Sequence, residues 1–248
     1  TAAHVQVYLQ HGVRRILFAN QLADPAARRF VLGAVGNARE PVRNTRECSI
    51  QGGITPHERA AQSAGDFARP EIISFCDSVS LARQLAADAV ATGGTFRLLL
   101  ELGVQGGRTG VRGREAGLAL AREIAALPGL SLEGVAVYEG VIETGDAAEN
   151  ARRVMSLLEE FHALAMELAA TGLLMPGPVI LSAGGSAYYD LVAPVLARGI
   201  PGRETLPLLR SGCYVTHDDG WYRRFREVMA ARSGAAALPR LQSALELW

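Results

Sequence analysis

The sequence contains no lysine, so all 25 of its basic residues are arginine. These are balanced by 25 aspartate and glutamate residues, which gives a formal net charge of +0 at pH 7. The arginines form no basic stripe of the kind that binds nucleic acid or an anionic membrane. We therefore expect neither nucleic acid nor membrane as a partner, and instead a small, neutral or acidic ligand.

Cysteine and long apolar runs are also scarce. The three cysteines, Cys48, Cys76 and Cys213, are far apart and include no CxxC pair. This argues against a disulfide framework and against a zinc site, and it fits a reducing cytosol. No apolar run reaches the roughly 18 to 20 residues that a membrane span requires, and no signal peptide is recognisable at the N-terminus. We predict a soluble, cytoplasmic protein.

Short apolar runs alternate along the chain with longer amphipathic stretches. The 248 residues, 49% of them hydrophobic, are enough for one large core. Six runs predict strands, at residues 15–19, 72–76, 96–102, 132–138, 179–183 and 206–210. Helical periodicity marks residues 80–91, 112–126, 147–170 and 189–197. This alternation predicts a parallel α/β sheet, either doubly wound or closed as a (β/α)8 TIM barrel.

A complete barrel needs two strands more than the six that the pattern predicts. Residues 1–11 are predicted to form a helix before Gly12, so a start within the second βα unit would account for the difference. We expect an incomplete barrel with about six of its eight strands present. The polar run from Gly36 to Pro70 shows little periodicity, and we leave open whether it is a surface loop, a lid or an artefact of the coding sequence.

The segments that follow the predicted strands carry most of the glycine and polar residues, and active sites of barrels lie at these strand ends. Ser182-Ala-Gly-Gly-Ser186 follows a strand and precedes a helix, where backbone N–H groups and a helix N-terminus bind phosphate. A flexible turn is the alternative. Ser211-Gly-Cys213 adds a second small turn after the next strand, as in many barrel phosphate sites.

Two further side chains at strand ends are candidates for chemistry. Arg108 lies in a glycine-rich turn, where it either donates to a phenolate or carboxylate oxygen or is simply solvated. Tyr138 ends the fourth predicted strand, where it either donates to a ring nitrogen or carries a proton, or else only caps the barrel core.

Five motifs in this order resemble one enzyme family. The chain is similar to the D-threonine aldolase and D-serine dehydratase group, often labelled amino acid deaminase, whose barrel is of the alanine racemase type. The motifs that carry the resemblance are Phe18-Ala-Asn-Gln-Leu22, Leu102-Gly-Val-Gln-Gly-Gly-Arg-Thr-Gly-Val111, Val137-Tyr-Glu-Gly140, Ser182-Ala-Gly-Gly-Ser186 and Leu209-Arg-Ser-Gly-Cys-Tyr-Val-Thr-His-Asp218.

The resemblance implies a pyridoxal-phosphate (PLP) lyase that labilises a bond at the α-carbon of a D-amino acid. It places Arg108 near the phenolic oxygen of the cofactor, Tyr138 near its ring and Arg210 near its pyridine nitrogen, and it suggests a homodimer. It makes Tyr214 a neighbour of the phosphate or the substrate. The residues that it assigns to the phosphate are Ser182, Gly184, Gly185, Ser186, Gly212 and Cys213.

Two departures from the family qualify this reading. The family's Schiff-base lysine lies on the first barrel strand, which we expect upstream of Thr1. The family also has a C-terminal β domain with ligands for a divalent metal, so we expect residues 1–240 to be the PLP-binding barrel, residues 241–248 to begin that second domain, and no metal site within this chain. The leading hypothesis is an inactive fragment of a D-serine or D-threo-3-hydroxy amino acid dehydratase; the alternatives are a D-threonine aldolase and a non-catalytic PLP-binding protein.

Overall fold

The computed structural model describes residues 1–36, 69–184, 187–210, 212 and 219–233. Most of the polar run between Gly36 and Pro70, and all of residues 241–248, lie outside the described residues, so the expectations for both remain predictions.

The described strands form one parallel sheet in which neighbours in sequence are neighbours in space. The spatial order is β1-β2-β3-β5-β6-β7, with β4 pairing only with β3. A doubly wound sheet reverses its order at a switch point, whereas a barrel does not, so this order is that of a barrel. The six predicted strands and the incomplete (β/α)8 barrel are confirmed. The strands are β1 (Arg15–Gln21), β2 (Glu71–Cys76), β3 (Phe96–Gly103), β4 (Val111–Arg112), β5 (Leu130–Val137), β6 (Val179–Ala183) and β7 (Thr205–Leu209).

Helices alternate with these strands and cover the outer face of the sheet. Ser78 caps one of them by accepting the N–H of Leu81, and Gly93 ends that helix with a φ of 67°, a conformation that favours glycine. Helix α2 was not predicted, although Asp24 accepts the N–H groups of Ala26 and Ala27 ahead of it. The helices are α1 (Ala2–Gln10), α2 (Pro25–Gly36), α3 (Val79–Thr92), α4 (Arg114–Ala126), α5 (Ala147–Ala170), α6 (Tyr189–Ala197) and α7 (Asp219–Ser233).

The two faces of the sheet have different surroundings. The outward-facing strand residues pack with the helices in the main core, because alternate side chains of a strand point to opposite faces. The inward-facing residues form a smaller cluster of Ile73, Phe75, Leu99, Ala136 and Ile180.

Charged side chains lie at the amino end of the inner face. There Arg97 contacts Glu133 at 2.6 Å and Glu71 at 3.2 Å. The amino end of the inner face is therefore occupied by ion pairs, and the carboxyl end presents the remaining polar side chains.

Membrane-spanning helices were also sought in the part of the chain that the structure describes. None of its helices combines the length and the apolar character that crossing a membrane requires.

Candidate active site

Polar side chains from six strands meet at the carboxyl end of the inner face, which we call the barrel mouth. Parallel strands all end at the same rim, so residues far apart in sequence become neighbours there. The polar residues of the mouth are Gln21, Asp77, Glu101, Arg108, Thr109, Tyr138, Glu139, Ser182 and Arg210.

Arg210 is held in a fixed orientation within the mouth. Its Nη1 donates to Ser182 Oγ at 2.7 Å and its Nη2 donates to the Val137 carbonyl at 2.7 Å. The guanidinium carbon lies 5.3 Å from the centre of the Phe75 ring. Burial lowers the pKa of Arg210, and the nearby Glu139 and Glu101 oppose that shift. The mouth therefore contains an oriented cation that an electron-rich ligand atom can approach.

Ser182 forms hydrogen bonds with Arg210 and with the backbone of β7. Its hydroxyl donates to the Leu208 carbonyl at 3.1 Å while it accepts from Arg210, and the residue is fully buried. The hydroxyl has one proton, so in this arrangement Ser182 orients Arg210 and has no donor left for a phosphate.

Glu101 is a buried carboxyl group on the opposite side of the mouth, with only 5% of its surface exposed. One oxygen accepts from Gln21 Nε2 and the other accepts from Thr109 Oγ1 at 3.1 Å. The Gln21 amide also donates to Asp77 at 3.2 Å, so it bridges two carboxyl groups. Burial raises the pKa of Glu101 and Asp77 adds to the effect, while Gln21 and Thr109 oppose it. Glu101 therefore binds a proton more readily than an ordinary glutamate.

Arg108 and Tyr138 come together at the edge of the mouth. The exposed guanidinium of Arg108 lies 5.8 Å from the centre of the Tyr138 ring, a cation–π geometry. Both residues line a small cavity of about 10 Å3 with Glu101 and Thr109. Such a space holds roughly one water molecule.

Gly184 is the first glycine of the predicted phosphate turn, residues 182–186. Its N–H donates to Oε2 of the fully buried Glu139 at 3.2 Å. A Cβ atom at this position would lie 2.6 Å from the Tyr138 ring, closer than any real contact, so glycine is needed for the approach. The backbone at the end of β6 is thus packed directly against the two residues that follow β5.

The structure brings together five of the predicted site residues: Arg108, Tyr138, Ser182, Gly184 and Arg210. Gly212 is described and has no neighbouring atom within 4 Å of the position of a Cβ. Gly185, Ser186, Cys213 and Tyr214 lie outside the described residues. The assignment of this set to the cofactor stays a prediction.

Glu101 and Arg112 were missed by the reading of the sequence. Glu101 interrupts the apolar run of β3, and an acidic residue in a buried strand is a signal that it has a specific partner. Arg112 carried no such signal, because its hydrogen bonds within the described part of the chain are with backbone carbonyl groups only.

Metal-binding arrangements were sought in the same part of the chain. Among the described residues, no three or more His, Cys, Asp or Glu side chains are placed so that they could hold a metal ion.

Comparisons with known proteins place this site in a family context. The family model described as alanine racemase, N-terminal domain, matches residues 9–194. The 3-hydroxy-D-aspartate aldolase of Paracoccus denitrificans (strain Pd 1222) is 28% identical over 119 residues, which are 47% of this chain and 30% of that protein.

The chain is also similar to solved structures. The D-threonine aldolase from Filomicrobium marinum has a TM-score of 0.52 at 19% identity, covering 84% of this chain and 46% of that one. PipY of Synechococcus elongatus PCC7942, solved with PLP bound, has a TM-score of 0.42 at 17% identity, covering 86% of this chain and 100% of that one. The matched region spans less than half the length of either aldolase.

Proposed function

Because the chain belongs to the alanine racemase N-terminal domain family, we propose that it is the PLP-binding barrel of a lyase that acts on D-amino acids. The observation that carries this proposal is the oriented Arg210 at the carboxyl end of a parallel barrel, beside Tyr138 and the Gly184 backbone.

The barrel mouth has groups suited to the non-covalent contacts that would bind PLP. Arg210 is a donor for an electron-rich ring atom, and Gly184 lets the backbone of the phosphate turn pass close to the Tyr138 ring. The chain does not supply the covalent link to the cofactor, because its 248 residues contain no lysine whose amine could form that bond. The amine has to come from outside these residues.

Within this proposal, Gly184, Gly185, Ser186, Gly212 and Cys213 hold the phosphate, with Tyr214 beside it. Bound PLP would act as the electron sink for the reaction.

The side chains of the mouth orient the cofactor ring. Arg210, fixed by Ser182, would hold the pyridine nitrogen, and Arg108, whose guanidinium lies over Tyr138, would hold the phenolic oxygen. Burial raises the pKa of Glu101, so this carboxyl binds a proton more readily than an ordinary glutamate, and the Tyr138 ring covers the Gly184 turn.

The proposed substrates are D-3-hydroxy amino acids. Either the bond between the α and β carbons breaks, as in an aldolase, or the β-hydroxyl is eliminated, as in a dehydratase of D-serine or of a D-threo-3-hydroxy amino acid. The aldolase branch is supported by the name of the curated relative, a 3-hydroxy-D-aspartate aldolase. A divalent metal is proposed only for the complete protein.

A second candidate is a PLP-binding protein without catalytic activity. The absence of lysine favours it, because a resident amine is the usual base at the α-carbon. Such a protein would bind PLP at the same site as the lyase but would not convert a substrate.

The binding step is tested by titrating the chain with PLP. We expect Arg210→Met to weaken PLP binding by about tenfold or more, the effect of losing a charge-assisted hydrogen bond. Arg83→Met, which removes an exposed arginine paired with Glu123 on the outer helices, is the matched control and should bind as the parent chain does. Equal affinity of the parent chain and the Arg210 variant would overturn the proposed site.

The reaction is tested on the complete protein with the two enantiomers of threo-3-hydroxyaspartate. Free PLP reacts equally with both, so a preference for the D form has to come from the chiral protein site. Glycine and glyoxylate identify the aldolase, oxaloacetate and ammonia identify the dehydratase, and PLP binding without a D preference identifies the non-catalytic protein.

A further inference from the structure

The chain makes a tight excursion between β3 and β4. It leaves β3 at Gly103 and returns at Val111 and Arg112, which pair in parallel with Leu102 and Gly103. We call the intervening residues 104–110 the β3 loop. A Cβ at Gly103 would lie 2.0 Å from the Thr109 carbonyl oxygen and 2.1 Å from Arg112 Nη1, so the loop and the arginine occupy the space of the missing side chain.

Arg112 binds the backbone of this loop at three points. Its Nη1 donates to the carbonyl oxygens of Thr109 at 2.6 Å and Gly110 at 2.5 Å, and its Nη2 donates to that of Gly107 at 2.8 Å. In the part of the chain that the structure describes, the contacts of its guanidinium are with carbonyl oxygens and none is with a carboxylate. The planar fork of arginine presents donors that are fixed and far enough apart to reach separate carbonyl groups, whereas the ammonium of lysine is a compact point charge.

Two other contacts fix the same loop from the side of the mouth. Thr109 donates to Glu101 at 3.1 Å, and the N–H of Gly110 donates to Asp77 at 3.1 Å. These contacts hold the last residues of the loop. The Gly107 carbonyl, just before Arg108, is bound by Arg112.

We propose that Arg112 is a positioning residue that fixes the β3 loop and thereby directs Arg108 toward the cofactor. Both neighbours of Arg108 in sequence, Gly107 and Thr109, give their carbonyl oxygens to Arg112. Arg108 itself is exposed and has a long flexible side chain, so a fixed backbone at this residue reduces the conformational entropy that is lost when its guanidinium binds a ligand. The inference rests on the proposed function, since it assigns Arg108 to PLP.

A double-mutant cycle tests the proposal with PLP affinity as the readout. We expect Arg108→Met and Arg112→Met each to weaken PLP binding by about tenfold, and the double variant to bind no more weakly than either one. Arg112→Lys should recover part of the loss at most. Independent effects that multiply in the double variant, or an Arg112→Met chain that binds as the parent does, would overturn the proposal.

A matched control separates this effect from a general loss of arginine. Arg112 and Arg153 line the same groove of about 620 Å3 on the outer side of the loop, and Arg153 pairs only with Glu149 on its own helix among the described ion pairs. Arg153→Met should leave PLP affinity unchanged. A loss as large as that of Arg112→Met would contradict a specific effect of Arg112.

Hydrogen exchange tests the inference without the cofactor. In the chain without PLP, we expect Arg112→Met to speed exchange of the Gly107 and Gly110 amide protons, which donate to Val104 and Asp77, by about tenfold or more, with the strands β5 and β6 unchanged. If the parent chain does not bind PLP, the proposed function fails, but faster exchange confined to the loop would still support the proposal that Arg112 fixes the β3 loop. Unchanged exchange in the loop would overturn that proposal.

Discussion

Glu101 shows how a single residue in the barrel mouth responds to its surroundings. It is buried beside Asp77, and this raises its pKa above the ordinary value of 4.5. Between 4.5 and the raised pKa, the folded chain keeps a proton that the unfolded chain has released. The folded state therefore binds more protons there, and its stability falls as the pH rises through that window.

We predict that Glu101→Gln removes this part of the pH dependence. Denaturant unfolding of the parent chain and the variant, measured at a series of pH values from 4 upward, should give two curves of the free energy of unfolding that diverge. The parent curve should lose stability relative to the variant as the pH rises from 4.5, and the difference should level off above the raised pKa. Glu115→Gln on the exposed surface of α4 is the control, and a parallel course of the Glu101→Gln and parent curves would refute the assignment.

At the level of elements, the β3 loop depends on the absence of a side chain at Gly103. The nearest obstacle to a Cβ there is the backbone oxygen of Thr109, at 2.0 Å, which cannot move without displacing the loop. We predict that Gly103→Ala lowers the free energy of unfolding by about 1–3 kcal/mol, the usual range for overpacking. The loss should be measured by denaturant unfolding.

The control for that substitution is another glycine in regular structure. Gly33 lies within α2, and a Cβ there would meet no atom within 4 Å. Gly33→Ala should raise the free energy of unfolding by roughly 0.5–1 kcal/mol, because alanine is the better helix former. A Gly103→Ala chain as stable as the parent would show that the loop adapts to the added methyl group.

The elements differ in how far the sequence predicts them. Each of the six strands of five or more residues is an apolar run between polar turns, and this local pattern is enough to predict its position. The two-residue strand β4 has no such pattern, since it exists only because the β3 loop brings Val111 back beside Leu102. Helix α2 was missed even though Asp24-Pro25 is a helix-start signal in the sequence.

For the molecule as a whole, the site was predictable to the extent that it follows from topology. Arg108 and Tyr138 were predicted at one rim because strand ends converge in a barrel, whereas the role of Arg210 came from the resemblance to the family. Gln21 and Asp77 also follow strands, but the bridge that the Gln21 amide makes to Asp77 and Glu101 joins residues 56 and 80 positions apart. Such long-range pairs depend on strand register, which composition and periodicity do not determine.

The complete absence of lysine makes the chain a suitable background for locating bound PLP. An aldehyde such as PLP forms a bond with a lysine amine that borohydride reduction makes permanent. We predict that the parent chain, treated with PLP and borohydride, carries no PLP on any internal residue when its peptides are weighed by mass spectrometry.

Single-lysine variants then measure how close each position is to the cofactor. Arg108→Lys puts the only side-chain amine at the edge of the barrel mouth, on the side proposed for the phenolic oxygen, whose carbon is next to the one that carries the aldehyde; Arg83→Lys puts it on the exposed surface of α3. We expect residue 108 to be labelled several-fold faster than residue 83 at low PLP, because binding raises the local concentration of the aldehyde. Labelling of the mouth no faster than of the helix surface would mean that PLP does not reside there, and the phosphate turn and Arg210 would then need another ligand.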